Sequence, residues 1–361
     1  MTEQARWESA PPETGLAAWS SPLLSRPGAV AADDADAGVA AHYGDPFREQ
    51  RSLAAGSAVV DLSHYGIVRL TGSDRRKLLH SLSTQDFRGL VDGGSAELAI
   101  LSPNGHVEHH AHAGDDGAAV YLVTGPGRGA ALADFLDRMV FSLDVEVADV
   151  SEHRAVLWRS GTPDTPTEDP PTDGRATDGL PSVSTPRGWF ELPDREGLSD
   201  RIAELGEAGV GLAGVEAYEA LRIAAGEPRL DLDTDHRTIP NELGWIGTAV
   251  ALDKGCYRGQ ETVARVHTLG RPPRRLTVLW VDGSPNVLPA HGDPVMYAGR
   301  QVGSIGSAAR HFESGPLALA LLKRTVPVEA TLTISASIDL PATQQTMVDP
   351  AIGLHARHHL G

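Results

Sequence analysis

Apolar and polar residues follow two different periods in the first two thirds of the chain. Strand-like runs, rich in apolar residues, occupy 57–62, 66–70, 96–101, 106–113 and 118–123. In three other runs the apolar residues stand three or four positions apart, which is the period of a helix. One run follows Asp74, a candidate N-cap, and the other two occupy 129–139 and 216–225. Strands and helices interspersed in this way predict an α+β fold.

The last third of the chain, past Pro273, contains only strand-like patterns. Short runs separated by glycine and proline occupy 276–281, 294–297, 301–305, 317–322 and 330–334. Short strands at this spacing suit a small antiparallel barrel. We therefore predict a C-terminal β-barrel at 271–340, after an α+β region at 42–270.

Two segments lack either period. Residues 1–41 are rich in Ala, Pro, Ser and Asp, whereas Thr, Pro, Asp and Gly dominate about 160–188. The second composition buries too little apolar surface to offset the entropy that is lost on ordering. We predict a flexible N-terminal arm at 1–41 and a disordered insertion at about 160–188, and we treat 341–361 as a tail.

The chain is acidic, with 31 Lys and Arg residues against 48 Asp and Glu residues and a net charge of −17. Such a surface repels the phosphates of a nucleic acid, so we predict no nucleic-acid partner. The exception is the segment 265–275, in which four arginines flank two prolines. We interpret this segment as a local anion site.

The chain shows no sign of export or membrane insertion. Its first residues lack a basic and an apolar region, and no run approaches the roughly 18 apolar residues of a membrane span. A single cysteine excludes an intramolecular disulfide, and no paired Cys/His spacing predicts a structural zinc site. These features predict a protein of the reducing cytoplasm with no membrane partner.

The cysteine, Cys256, stands in the sequence Lys-Gly-Cys-Tyr-Arg-Gly-Gln-Glu at 254–261. A thiol reacts as its thiolate, which nearby cations such as Lys254 and Arg258 favour. The flanking glycines predict a sharp, open turn, and the residues that follow suit a short helix. A free cysteine is more commonly a small buried residue, but this charged setting favours a chemical role. We assign Gln260 and Glu261 to orienting the loop or relaying a proton.

A second group of polar residues lies at 106–112. If this segment is a strand, its two-residue period places His106, Glu108, His110 and His112 on one face and His109 on the other. Such a face could bind zinc or iron, could line a cavity with proton carriers, or could be solvated. We assign no metal ion from the sequence.

The motif at 254–261, with Val-Ala-Arg at 263–265, resembles the signature of folate-binding proteins of the YgfZ type. These are relatives of the glycine-cleavage T-protein, an aminomethyltransferase, and are linked to iron–sulfur protein maturation. Supporting motifs stand at 61–66, 70–74, 221–229 and 238–242, and in the barrel strands. The similarity covers about 42–335.

The resemblance implies a three-part ring of domains around a central cavity that receives tetrahydrofolate, with two interleaved subdomains in 42–270. Glu219 and Arg222 stand three apart on a predicted helix, which suits a surface ion pair. The resemblance implies the alternative that Arg222 faces the cavity, where it could hold the glutamate carboxylate of folate through paired hydrogen bonds. The full set of residues that we expect to contact folate is Asp61, Glu108, His109, Arg222, Glu242 and Tyr257.

One departure from the T-protein pattern shifts the expected chemistry. The T-protein has paired aspartates beside folate, and this chain has Asn-Gly-His-Val-Glu-His-His at 104–110. The leading hypothesis is therefore a tetrahydrofolate-binding protein that supports the assembly or repair of iron–sulfur proteins through Cys256. Its partners would be iron–sulfur proteins or their assembly machinery. The alternatives are a folate-dependent one-carbon transferase that uses Glu108 or His109 as acid–base group, and a folate-binding module without catalysis.

Overall fold

The computed structural model describes residues 19–161 and 179–348. The helices are α1 Pro46–Ala54, α2 Arg75–Leu82, α3 Gly129–Asp137, α4 Leu198–Glu207, α5 Val215–Ala224, α6 Pro240–Leu243 and α7 Gln260–Leu269. The strands before the central gap are β1 Val30–Ala31, β2 Ala40–His42, β3 Ala58–Asp61, β4 Tyr65–Thr71, β5 Ser95–Leu101, β6 Val107–Asp115, β7 Ala119–Pro126, β8 Glu146–Asp149 and β9 Leu157–Ser160. Those after it are β10 Ser182–Thr185, β11 Gly188–Glu191, β12 Gly211–Ala213, β13 Arg274–Val281, β14 Pro294–Tyr297, β15 Arg300–His311, β16 Gly315–Lys323, β17 Leu332–Ser335 and β18 Asp339–Thr346.

Three sheet units carry the fold, and they confirm the predicted α+β class. The first sheet has the strand order β5-β6-β7-β4-β8 and is antiparallel throughout. The second has the order β10-β11-β9-β3-β12, with only β12 and β3 parallel. The third is a closed barrel in the order β13-β16-β15-β14-β17-β18.

The two faces of the first sheet have different neighbours. On one face, Leu78 and Leu79 of α2 and Leu132 and Leu136 of α3 are buried against apolar strand residues. Each leucine buried in this way contributes about 1.5–3 kcal/mol relative to an exposed one. The other face packs against the segment that runs from α6 to α7, and this segment contains the cysteine loop.

The predicted barrel is confirmed, but its predicted end at residue 340 is wrong. Strand β18 pairs with both β17 and β13, through pairs such as Ile334 with Leu340 and Val278 with Gln345. Its outward positions are polar, so only Leu340 and Ala342 mark its buried face in the sequence. Residues 341–346 therefore close the barrel and are not part of a tail; residues 349–361 lie outside the described part of the chain.

Parts of the predicted arm and insertion are ordered. Leu23 and Val39 are fully buried, and Ser21 donates a 2.5 Å hydrogen bond to Asp61, so residues 19–41 pack on the second sheet. Likewise, β10 and β11 form a hairpin within and just beyond the predicted insertion. The prediction of disorder is therefore wrong for these residues, whereas residues 1–18 and 162–178 lie outside the described part.

The arginine-rich segment is not an open anion site at its C-terminal end. Arg274 pairs with Asp235 at 2.6 Å and with Glu242 at 2.8 Å, and Arg275 is buried, where it donates to carbonyl groups of the barrel. Arg274 therefore joins the barrel to the segment before it, whereas Arg275 links parts of the barrel to one another. Across residues 19–161 and 179–348, every helix is too short or too polar to cross a lipid bilayer.

Candidate functional site

A cleft of about 620 Å³ lies between the first sheet, the β10–β11 hairpin and the loop after α2. Its wall includes side chains of Gln85, Leu90, Glu97, His112, Ser184 and Thr248. Clefts of about 300–1,000 Å³ accommodate small molecules and cofactors. The side chain of Gln85 supports this wall, because its amide donates to the carbonyl groups of Glu97 and Thr248.

Three polar side chains converge at this cleft because of the strand register: Glu97 and His112 line it, and His110 lies beside them. Glu97 of β5 is directly opposite His112 of β6, and His110 is opposite Ala99, two residues along. Glu97 Oε1 lies 2.8 Å from His110 Nε2, and the rings of His110 and His112 are 5.2 Å apart. The ring of His110 stacks on Trp245 with 4.3 Å between centroids, which fixes its orientation.

The environment of these side chains sets their charge. Burial raises the pKa of Glu97, but the hydrogen bond and charge of His110 outweigh it and leave this pKa at about 2. Burial lowers the pKa of His112 to about 4, against the opposing effect of Glu97. At neutral pH the cleft wall therefore carries a carboxylate beside a neutral imidazole.

A β-bulge changes the predicted pattern at 106–112. Ile100 pairs with His109 and Leu101 pairs with Val107, so Glu108 has no partner in β5. His110 and His112 lie on one face of the sheet, as predicted. The bulge interrupts the alternation of faces along β6 at Glu108, so Glu108 does not follow the predicted pattern. His109 lies on the other face, 5.5 Å from the ring of Phe135, where burial and neighbouring arginines lower its pKa to about 4. The predicted folate contact of His109 is therefore not supported by its position.

The cysteine loop lies against the turn between β5 and β6. Cys256 is a free, exposed thiol, and the predicted helix after it is α7. Gly259, the N-cap of α7, has φ 80°, and a Cβ there would lie 2.5 Å from the carbonyl oxygen of Ser102. A Cβ on Gly105 would lie 2.7 Å from Thr262. Only glycine permits this close approach.

Two predicted site residues, Arg258 and Glu108, form an ion pair next to this contact. Arg258 Nη1 lies 3.0 Å from Glu108 Oε2, and both side chains are about two-fifths exposed. The pair joins the cysteine loop to the bulge of β6. Gln260 and Glu261 are the first two residues of α7, and their role in orienting the loop or relaying a proton stays a prediction.

The predicted role of Lys254 beside the thiolate is wrong. Its buried ammonium donates to the carbonyl oxygens of His80, Ser83 and Gln85, which uses all three of its hydrogens. Burial lowers the pKa of this ammonium to about 8. Lys254 therefore closes the C-terminal end of α2 and ties the cysteine loop to Gln85 at the cleft.

The side chain of Tyr257 is buried in an apolar cluster and has a structural role. Its side chain packs with Leu243, Trp245 and Val263, and burial raises the pKa of its hydroxyl to about 12. The ammonium of Lys254 lies 5.4 Å from the centre of its ring. Tyr257 thus anchors the loop, and a direct folate contact by this buried ring is not supported.

Arg222 cannot hold a folate carboxylate in this arrangement. Its guanidinium is 2% exposed, and its five N–H groups donate to Glu219 twice, to Asp233, to Ser307 and to the carbonyl of Glu227. These partners come from α5, the segment after it and the barrel. Arg222 joins the α+β region to the barrel, and its predicted ligand role is wrong.

Two predicted carboxylates have structural partners as well. Asp61 is buried and accepts hydrogen bonds from the hydroxyl groups of Ser21 and Ser63. Glu242 is fully buried, accepts from the backbone N–H at the start of α6 and pairs with Arg274. The predicted folate contacts of Asp61 and Glu242 are therefore wrong, because both carboxylates are enclosed by protein.

Sequence reasoning missed Glu97, Gln85 and Trp245. Glu97 is the only charged residue in its strand, where apolar residues surround it. That pattern is a signal in the sequence, because a carboxylate that is buried in an apolar run needs a partner. Its pairing with His110 depends on the register between β5 and β6, which a single sequence does not reveal. Gln85 and Trp245 lie in loops that carry no comparable signal.

Comparison with known proteins agrees with this architecture, although no family model matches the chain. It is 26% identical to a chloroplastic protein of Arabidopsis thaliana named as a transferase, over 70% of this chain and 62% of that protein. It is 26% identical to the tRNA-modifying protein YgfZ of Photorhabdus laumondii, over 70% and 79%. An aminomethyltransferase of Rubrobacter xylanophilus is 28% identical, over 72% and 74%.

A solved structure shows the same fold. The glycine cleavage system aminomethyltransferase T of Bartonella henselae superposes with a TM-score of 0.71, at 17% identity, over 92% of this chain and 96% of that one. At this identity the match establishes the fold alone. The three sheet units therefore have the predicted T-protein-like arrangement. The chain thus has the fold of an aminomethyltransferase T, and its sequence is similar to proteins of the YgfZ type and to aminomethyltransferases.

Proposed function

We propose that this protein binds tetrahydrofolate in the cleft beside Glu97 and supports the assembly or repair of iron–sulfur proteins through the thiol of Cys256. The observation that carries this proposal is the tether between the two sites. Gln85 lines the cleft with its side chain, and its carbonyl oxygen accepts a 3.1 Å hydrogen bond from Lys254, two residues before the cysteine.

The cleft suits a folate in size and chemistry. Its volume of about 620 Å³ lies within the range of cofactor sites. The pterin ring of folate offers an edge of N–H donors, and the ionised carboxylate of Glu97 is an acceptor on the cleft wall. When bound, tetrahydrofolate would supply nitrogen atoms that carry one-carbon units. Glu97, Ser184 and Thr248 would hold and orient it.

The thiol is presented outward, where a second protein can reach it. Cys256 and the neighbouring Gly255 are exposed, and no atom lies within 4 Å of a Cβ position at Gly255. Lys254 is fully occupied at α2, so Arg258 is the cation of the motif that can favour the thiolate. A thiolate in this position can act as a nucleophile or as a ligand to iron in a client protein.

Replacement of the cysteine tests the proposal. In a strain that lacks this protein, the wild type should restore the activity of iron–sulfur enzymes, and Cys256→Ser should not. The same variant should keep its fold and its affinity for tetrahydrofolate, because the side chain is exposed and outside the cleft lining. Restoration by the serine variant would contradict the role of the thiol and would favour a module that only binds folate.

Aminomethyl transfer remains the second candidate function, because sequence relatives carry that name. The placement of its acid–base candidates counts against it. His109 faces Phe135, and Glu108 is held at the exposed bulge by Arg258. We expect no turnover of tetrahydrofolate with an aminomethyl donor, and measurable turnover would establish the transferase.

The name of the YgfZ relatives links those proteins to tRNA modification. The net charge of −17 disfavours direct contact of this chain with tRNA. We therefore assign tRNA modification to an iron–sulfur client and not to this chain. A free, exposed thiol persists in a reducing compartment, and we place the protein in the cytoplasm for this reason.

A further inference from the structure

We propose that Glu97, His110 and His112 form a binding site for one divalent transition-metal ion, of the class of Zn²⁺ and Fe²⁺. The inference goes beyond the proposed function, since it concerns a metal ion and neither folate nor Cys256, although Glu97 belongs to both proposed sites. Its basis is the convergence of two imidazoles and one carboxylate, two of which, Glu97 and His112, line the cleft.

The donor atoms already stand close together. One ligand atom from each of the three side chains lies within 4.8 Å of the other two, and the Glu97–His110 separation is 2.8 Å. In a tetrahedral site with bonds of about 2.0–2.1 Å, the ligand atoms are about 3.3 Å apart. Small rotations of the side chains would bring the ligand atoms to this separation. The ion would then take the place of the proton in the hydrogen bond between Glu97 and His110.

The site is held by its surroundings. Glu97 and His112 are cross-strand partners, so the sheet itself fixes the distance between their backbones. The stack on Trp245 holds the ring of His110, and Phe190 lies 6.0 Å from the ring of His112. Ligands on rigid strands with fixed rings bind a metal with little loss of side-chain entropy.

One polar atom of this cluster has no partner. The Nδ1 atom of His112 is buried, and no hydrogen bond to it forms within the described residues. A buried imidazole nitrogen without a partner is costly, and an ion or a water molecule bound to this atom would remove that cost. This observation is independent of the spacing of the three ligands.

The cleft gives an ion bound here open coordination positions. Glu97 and His112 both line the cleft, so water or a small molecule can reach an ion between them. Three protein ligands with an open position are typical of catalytic sites, whereas structural zinc sites are closed by four protein ligands. Two histidines and one carboxylate are also the ligands of mononuclear non-haem iron sites.

Titration of metal ions into the full-length, tag-free protein tests this site. After treatment with a chelator, and without folate, ZnCl₂ should bind at about one equivalent, as should Fe²⁺ under anaerobic conditions. Glu97→Gln and His112→Asn should each weaken binding of Zn²⁺ at least about tenfold. His109→Asn is the matched control on the opposite face of the same strand, and it should bind Zn²⁺ like the wild type.

Two results would overturn the site: no stoichiometric binding by the wild type, or equal loss in the His109 variant. Spectra of the Co²⁺-loaded wild type provide a second test that does not depend on whether the variants fold. Co²⁺ should show d–d bands without a thiolate charge-transfer band, and Cys256→Ser should leave the spectrum unchanged. A thiolate band would assign the ion to Cys256 instead. Since folate is absent throughout, failure here leaves the proposed folate site untouched.

Discussion

At the scale of single residues, Lys254 shows how the environment decides a role that the sequence leaves open. Beside a cysteine, a lysine suggests a thiolate partner. In the structure its ammonium is buried and donates to three carbonyl groups at the end of α2. Its neighbours come from residues 80–85, which are distant in sequence, so the prediction could not identify them.

Removal of this ammonium should destabilise the protein. Lys254→Met keeps much of the side chain but removes the donor from one buried and two partly buried carbonyl groups, so the free energy of unfolding should fall by about 2 kcal/mol or more. Urea denaturation measures this change. Lys77→Met is the control, because Lys77 lies on α2 with its side chain 68% exposed and should change little. Equal, small effects of both substitutions would contradict the capping role.

The two buried histidines of β6 predict a dependence of stability on pH. Burial lowers the pKa of His109 and of His112 to about 4, from an ordinary value of 6.5. Below about pH 6.5 the unfolded chain therefore binds protons that the folded chain does not, and stability falls as the pH decreases toward 4. Each histidine contributes at most about 1.4 kcal/mol per pH unit.

Urea denaturation between about pH 6.5 and 5, in the presence of a chelator, isolates this effect. The carboxylates with lowered pKa, such as Glu97, have an ordinary value of 4.5 or below and add little in this window. His109→Asn and His112→Asn should each make the loss of stability with pH shallower than in the wild type. An unchanged pH dependence in both variants would show that these histidines titrate normally.

At the scale of elements, the contact between the cysteine loop and the β5–β6 turn organises the site. It depends on Gly105 and Gly259, whose backbones approach too closely for side chains. The sequence predicts an open turn from Gly255 and Gly259 and a helix after the cysteine. The helix is α7, and the turn is packed at Gly259 but open at Gly255. The partner of the turn and the bulge at Glu108 could not be predicted, because register between strands is a non-local property.

Substitution of one glycine of the loop should disturb this contact. A Cβ at Gly259 would clash with Ser102, and φ of 80° is unfavourable for alanine. Gly259→Ala should therefore lower the free energy of unfolding by at least about 1 kcal/mol and change the rate of Cys256 alkylation. Gly255→Ala is the matched control, since no atom lies within 4 Å of a Cβ there. Similar effects of both substitutions would refute the importance of the contact.

At the scale of the whole molecule, the periods of the chain and the cysteine motif were sufficient to predict the α+β class, the barrel and the T-protein-like fold. They were insufficient for the ligand contacts, because a charged residue in a motif can serve the fold as readily as a ligand. Arg222 and Glu242 are examples, since their partners come from distant segments and enclose them completely. Strand β18 was missed because most of its residues face outward and are polar.

The central claim is that the cleft beside Glu97 is the folate site, and calorimetric titration of tetrahydrofolate tests it most directly. The titration is performed with chelator present, so that metal binding does not contribute. Ser184 lines the cleft and stands on β10, away from the cysteine loop. The wild type and Ser184→Ala should bind at about one equivalent, and Ser184→Trp, which fills the cleft, should bind at least about tenfold more weakly. Absence of binding by the wild type, or undiminished binding by Ser184→Trp, would contradict the account.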